Sequence, residues 1–268
     1  MKRLLLSTRE LVWGALGYKP TLLQLEAHRA EEKQVLVAGG VRGGKSMWLA
    51  MEMLPHLIYV EPFSGRAAEG YKAKRFHLAG KTYKEPRIEF DYMLEQLKRL
   101  WPAGILADRL SMPRLGAWHL ALANGNTLDT VSSDDPLSLR AFESDGVGLC
   151  EAGVCELDTV YRLSERLAST GGFFLMSGTF ESSAEYRVQS WFADYWQMGQ
   201  GPNEIGFKSF SIPTWANSYV FPLGRNDPEI LRLEKQYPKD LFMERFGAVP
   251  CPPSGRVCPE FSTAVHVV

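Results

Sequence analysis

Residues 36–46 read LVAGGVRGGKS, and within them Gly39-x-x-x-x-Gly44-Lys45-Ser46 places glycines, an ammonium and a hydroxyl at the spacing that cradles phosphate. The glycines let backbone N–H groups of Gly39, Gly40, Val41, Arg42, Gly43 and Gly44 curl around the β- and γ-phosphates of a nucleotide, and Lys45 adds a positive charge. Ser46 offers its hydroxyl to Mg²⁺, while the N-terminus of the following helix contributes partial positive charge. The chemistry implied is binding, and with a suitable acid nearby hydrolysis, of a nucleoside triphosphate such as ATP with Mg²⁺. Arg42 is a bulky cation inside this loop; the spacing alone leaves it pointing either out of the cradle or toward the phosphates.

Hydrolysis needs a carboxylate beside the cradle to manage Mg²⁺ or orient water. The strand Val147-Gly148-Leu149-Cys150-Glu151 ends on one, and parallel α/β sheets place their chemistry at such strand tips. Glu151 is the candidate for polarising water and for the metal. Cys150 stands where a magnesium-linked Asp is expected; its soft sulfur suits a hard cation poorly, so it reads as a small packing residue. Arg140, ten residues before Cys150, reads by spacing as a surface salt-bridge partner or as a cation reaching a neighbouring subunit's phosphate.

The elements that must position these groups alternate. QVLVAG (34–39) predicts a buried strand, followed by the glycine loop and a helix stopping near Pro55. RFHLAG (75–80) predicts a second strand, and Pro86 opens a helix with Phe90, Met93, Leu94, Leu97 and Trp101 at helical spacing, ended by Pro102. Residues 118–131 form two alternating runs around Asn124-Gly125, a hairpin at an insertion or edge. GVGLCE (146–151), a helix around Leu157, Val160, Leu163 and Leu167, and the strand FFLMSGT (173–179) complete the pattern. Strands separated by helices predict an α/β fold with a mostly parallel sheet flanked by helices. Residues 1–215 form its core; 216–250 read as a small helical lid, with Asp227 as N-cap and Pro228 at the first helical position. Residues 251–268 read as a connector.

Composition narrows the classes. The 268 residues are 45% hydrophobic with a formal net charge of -1, so no global charge drives the chain onto nucleic acid. Lys72, Lys74, Arg75, Lys81, Lys84 and Arg87 form one candidate basic patch, read either as a solvated face or as a contact patch. The four cysteines lack a C-x-x-C pair, which argues against zinc and a disulfide framework and for a reducing, intracellular setting. The opening apolar run breaks by Ser7, and no stretch reaches the ~20 apolar residues that span a bilayer, so a soluble protein without a membrane partner is expected.

Together these motifs resemble the large terminase subunit of tailed bacteriophages, specifically its N-terminal ATPase, a motor that packages DNA. The resemblance begins at YKPTLLQLEAH (18–28), similar to the family's adenine-recognition segment, which implies a base-reading role for Gln24. AGGVRGGKS resembles the family's P-loop, which often carries an arginine, making Arg42 a nucleotide contact. SLRAFESDGVGLCEAG (138–153) resembles the block in which a Leu-Arg pair precedes a strand ending in Asp-Glu-Ala; it implies that Arg140 is an intersubunit arginine finger. MSGTF (176–180) sits at the family's coupling motif, implying that Ser177, Gly178 and Thr179 sense the γ-phosphate and pass its loss to the lid.

The resemblance implies a P-loop NTPase of the additional-strand, catalytic-Glu type. It also implies double-stranded DNA, a ring of identical subunits, a portal protein and a small terminase subunit as partners, in the host cell cytoplasm. Two departures stand out. Cys150 replaces the first Walker B acid, and the chain stops at Val268, where the family continues into a nuclease; DNA cleavage is therefore not expected. The leading expectation is an ATP-driven DNA translocase. The alternatives are a nucleotide-binding module without efficient hydrolysis, a helicase-like motor and, more remotely, a small-molecule kinase.

Overall fold

A computed structural model describes residues 8–58, 72–100, 107–135, 137–139, 142–180, 191–202 and 205–251. Arg140 and connector residues 252–268 lie outside these, as do Trp101 and Pro102. Eight strands form one sheet in the order β3-β4-β5-β2-β6-β7-β1-β8. They are β1 (Gln34–Gly39), β2 (Arg75–Gly80), β3 (Ala107–Ser111), β4 (His119–Leu122), β5 (Thr127–Ser132), β6 (Gly146–Leu149), β7 (Phe173–Gly178) and β8 (Phe207–Ile212). The pairs β1–β7, β1–β8, β2–β5, β2–β6 and β6–β7 are parallel. Antiparallel pairing is confined to β3–β4 and β4–β5.

The Asn124-Gly125 hairpin is thus the expected edge, with β3 added outside it. The parallel centre is the expected mostly parallel α/β sheet. One topological detail fixes its type: β7 lies between the glycine-loop strand β1 and the acid-tipped strand β6. That is the additional-strand arrangement the resemblance implies.

Helices cover both faces. On one, α1 (Thr8–Leu16), α2 (Leu22–His28), α3 (Lys45–Leu57) and α4 (Arg87–Leu100) bury Trp13, Trp48, Leu54 and Phe90 against the sheet. On the other, α5 (Leu157–Leu167) and α6 (Trp191–Met198) bury Val160, Leu163 and Phe192 with Val147 and Phe174. The side-chain set on α5 follows the 3.6-residue period read from the sequence. A third apolar cluster, Phe221, Ile230, Phe242 and Phe246, lies in the helical segment after β8. It contains α7 (Pro228–Gln236) and α8 (Lys239–Arg245), with Asp227 accepting from the Glu229 N–H as the expected N-cap.

Two expectations are corrected. Helix α3 does not stop near Pro55 but continues to Leu57. A proline inside a helix removes the bond to the carbonyl four residues earlier, here that of Met51. The indole N–H of Trp13 on α1 donates to that carbonyl at 2.9 Å, so the freed acceptor is satisfied from outside. The basic run is also not one patch. Arg75 opens β2 whereas Lys81, Lys84 and Arg87 follow its other end, separating the two groups by the length of a six-residue strand, roughly 16 Å. Arg87 is committed elsewhere, lying 4.6 Å over the Trp118 ring and donating to the carbonyls of Arg114 and Gly116. Among the described residues no helix is long and apolar enough to cross a membrane.

Candidate nucleotide site

The loop after β1 opens into a cleft of about 910 Å³, lined by Gly40, Val41, Arg42, Gly44, Lys45 and Ser46. Gln24, Glu151 and Thr179 reach the same cleft, so most of the candidate residues converge. The cleft lies where β1, β6 and β7 end, as parallel sheets require. Helix α3 starts at Lys45 behind Gly44, which has φ 97° and makes no side-chain cap bond. The first-turn N–H groups therefore lack both intrahelical partners and a cap, which suits an anion.

Gly40 is constrained from behind. A Cβ there would stand 2.5 Å from both the Phe246 carbonyl oxygen and the Thr214 hydroxyl. Four hydrogen bonds explain the closeness. The Gly40 N–H donates to Ile212 O at 2.9 Å and the Val41 N–H to Arg245 O at 2.8 Å. Thr214 Oγ1 donates to Val41 O, and Asn217 Nδ2 to Arg42 O, each at 2.7 Å. Arg42 itself has φ 64°, a left-handed backbone that its bonded carbonyl helps to hold.

Lys45 Nζ lies 3.0 Å from Glu151 Oε1. The loop ammonium and the strand-tip carboxylate therefore neutralise each other across the cleft. Glu151 also occupies the left-handed region, at φ 48°, which turns the chain sharply after β6 and aims the side chain at Lys45. Such a conformation costs of the order of 1–3 kcal/mol and persists where the surroundings impose it.

Gln24 does more than face the cleft. Its Oε1 accepts from the Thr21 N–H at 2.8 Å in a capping box, and its Nε2 donates to Gly44 O at 3.0 Å. The amide thus ties α2 to the glycine loop, with one N–H left for a ligand. Thr179 donates to Gly39 O at 3.1 Å, linking the end of β7 to the start of the loop. Ser177 does not reach the cleft. It is fully buried within β7, its register partner is Val37, and its hydroxyl has no hydrogen-bond partner. Neither Gly39 nor Gly178 lines the cleft: Gly39 packs against the Lys45 side chain, whereas Gly178 packs against Gly153 and Phe192.

Cys150 is fully buried and packs in the core beneath α3, as expected of a packing residue. Burial, reinforced by the charge of Glu89, holds its thiol well above the usual range, so it stays protonated and able to donate. Glu89 is the residue that the sequence reading missed. It is 1% exposed, and the Ser46 hydroxyl and the Cys150 thiol are the side-chain groups that act on its carboxylate. Burial raises its carboxyl above the ordinary value, the Ser46 hydrogen bond opposes that, and the Glu151 charge adds to it. The signal was present: stepping back one turn from Met93 lands on Glu89, a carboxylate within the buried stripe of α4.

Comparison with known proteins supports the fold. No family model matches the chain and no curated protein is similar to it at the sequence level. Among solved structures it is similar to the large terminase ATPase domain of Thermus phage P74-26, with TM-score 0.67 and 22% identity over 89% of this chain and 97% of that one. It is also similar to the large terminase of a thermophilic bacteriophage solved in complex with ADP (TM-score 0.61, 12% identity, 85% of this chain and 53% of that one). The HK97 bacteriophage large terminase gives TM-score 0.61 and 11% identity over 85% of this chain and 50% of that one. The chain spans about half the length of the latter two proteins. Its fold is that of terminase ATPase domains.

Proposed function

We propose that this chain is the ATP-hydrolysing motor domain of a DNA-packaging terminase. The observation that carries the reading is the Lys45–Glu151 pair at 3.0 Å across an uncapped helix N-terminus. A nucleotide entering the cleft offers Lys45 phosphate oxygens in place of Glu151. Lys45 then leaves the ion pair, and Glu151 is released to accept a proton from, and orient, the attacking water. Mg²⁺, when bound, neutralises charge developing on the phosphate oxygens. The uncapped α3 N-terminus and the cleft-facing Ser46 fit such a complex, with Ser46 and Glu151 as its candidate metal-side groups. Gln24 and Tyr18 stand on the side from which the base would be read.

The helical segment 216–250 acts in this reading as a lid. The Arg245 carbonyl accepts from Val41 and the Asn217 side chain donates to the Arg42 carbonyl, which gives the segment a direct mechanical connection to the phosphate loop. Movement of the loop on hydrolysis is passed to it, and through it to double-stranded DNA held by a ring of identical subunits. Arg140 completes the site from a neighbouring subunit in that ring. The portal and small terminase subunit are the further partners, in the host cytoplasm.

The deciding experiment is Mg²⁺-dependent ATP turnover per chain across a wide range of protein concentrations, with Lys45→Ala as the blank. Turnover that rises with concentration and is lost in Arg140→Ala supports the assembly-gated motor. ATP binding without turnover above the blank favours the second reading, a nucleotide-binding module without efficient hydrolysis, which the thiol of Cys150 in place of an acid recommends.

A further inference from the structure

The metal side of the cleft has a gap in its chemistry and an unexplained group beside it. Mg²⁺ in a phosphate site is held by one or two carboxylates together with phosphate oxygens and water. The strand tip offers Cys150, whose soft sulfur is a poor partner for so hard a cation. Among the described residues no group of three or more His, Cys, Asp and Glu side chains is poised for a metal.

Glu89 is buried beside Ser46 and Cys150, next to the position that the missing acid leaves open, without itself lining the cleft. It comes from α4 rather than β6, yet the Ser46 hydroxyl and the Cys150 thiol are the side-chain groups that act on its carboxylate. One of its oxygens, Oε2, is buried with no hydrogen-bond partner. A buried, unpartnered carboxylate oxygen is costly, and native proteins rarely leave one without a reason. Its neighbours make the reason specific. Ser46 is the hydroxyl of the phosphate loop, Glu151 is the second carboxylate within electrostatic range, and Cys150 fixes one side of Glu89 as a donor.

Resting on the nucleotide reading above, we infer that Glu89 supplies from α4 the metal-side carboxylate that β6 lacks. With Ser46 it forms the protein half of a divalent-cation site, completed by phosphate oxygens and water. The free Oε2 accepts from a water of the cation's shell or meets the cation directly; either satisfies it. Cys150 is then a positioning residue, its thiol holding the carboxylate rather than ligating the metal. Glu151 is left to the water, so the two duties fall on separate carboxylates.

The test uses Mn²⁺ in place of Mg²⁺, read by the paramagnetic resonance of free ion, with a non-hydrolysable ATP analogue bound. Analogue affinity is measured separately in EDTA. Wild-type protein is expected to bind the analogue in EDTA and to take up Mn²⁺ in the complex. Glu89→Gln should keep the metal-free analogue affinity while losing about ten- to a hundredfold in Mn²⁺ affinity. Glu89→Gln combined with Cys150→Asp, which returns an acid to the strand tip, should regain most of that loss. Mn²⁺ affinity unchanged in Glu89→Gln, with analogue bound, overturns the inference and leaves the nucleotide reading standing. A wild-type protein that binds no analogue overturns both. A melting curve confirms that each variant is folded; should Glu89→Gln fail to fold, Glu89→Asp carries the test. A fall in its Mn²⁺ affinity supports the role, and affinity within about twofold of wild type overturns it.

Discussion

The phosphate loop is held differently at its two ends. Gly40, Val41 and Arg42 are held from the end of β8 and the segment after it, by backbone and side-chain bonds reaching from Ile212, Thr214, Asn217 and Arg245. Lys45 and Ser46 are held from the tip of β6 and from α4, by Glu151 and Glu89. The first set of contacts is made almost wholly to main-chain atoms of the loop, the second to its side chains. Main-chain contacts report where the loop is; side-chain contacts report what it carries. One loop can therefore transmit position to the helical segment and charge to the reaction, and the two should separate under mutation.

The largest effect is expected on the charge side. Glu151→Gln keeps shape and removes the proposed base, so ATP turnover should fall by about 10²–10⁴ while ATP binding persists. It also deprives Lys45 of its partner in the empty protein, freeing the ammonium for phosphate, so nucleotide affinity should hold or rise. Equilibrium binding of a labelled nucleotide beside steady-state turnover checks both halves. A parallel loss of binding would show Glu151 to be part of the cradle instead.

How this division could be read from sequence differs between the two ends. The charge side was largely legible, because Gly39-x-x-x-x-Gly44-Lys45-Ser46 and the apolar strand ending on Glu151 are local patterns. The central strands were legible for the same reason, each being a short apolar run bounded by turn residues. What stayed hidden was non-local. Glu89 lies 43 positions after Ser46 and is recognisable only once α4 is folded against α3. Strand β8 carries weaker alternation, as in the partly polar FKSFSI, and takes its place from pairing with β1, while α6 takes its place from packing on β8. Ser177 shows the converse: its position in MSGTF suggested a sensor, but strand alternation turns it into the sheet while Thr179, two residues on, reaches the loop after the strand has ended.

On the position side, Gly40→Ala is expected to act mechanically. The pattern permits any residue there, yet the added methyl would meet the Phe246 carbonyl and Thr214 at 2.5 Å. Neither the carbonyl nor the Thr214 backbone N–H at 2.7 Å can swing aside like a flexible side chain. The cost should be about 1–3 kcal/mol, the usual range for overpacking. Thermal melting should show a drop of about 2–4 °C per kcal/mol, with amides of the helical segment exchanging faster than those of the central strands. Uniform acceleration throughout the chain would mean that the two ends of the loop are not separable.

The smallest effect, and the sharpest division, is expected from Asn217→Ala. Asn217 donates from its half-buried side chain to the carbonyl of Arg42 at 2.7 Å and is not the partner of the Lys45–Glu151 pair. The carbonyl it leaves is open to water, so the loss should be only about 0.5–1.5 kcal/mol, without the penalty of a buried orphan. Arg42 sits at φ 64°, where a non-glycine residue needs its surroundings to hold it. Removing the tether should let this half of the loop relax while Lys45 and Ser46 keep their partners. Equilibrium ATP affinity should then change little, whereas protection of the helical segment from hydrogen exchange on adding nucleotide should shrink. If affinity falls and protection survives, the bond serves the phosphate site rather than the connection to the helical segment, and the two ends of the loop act as one.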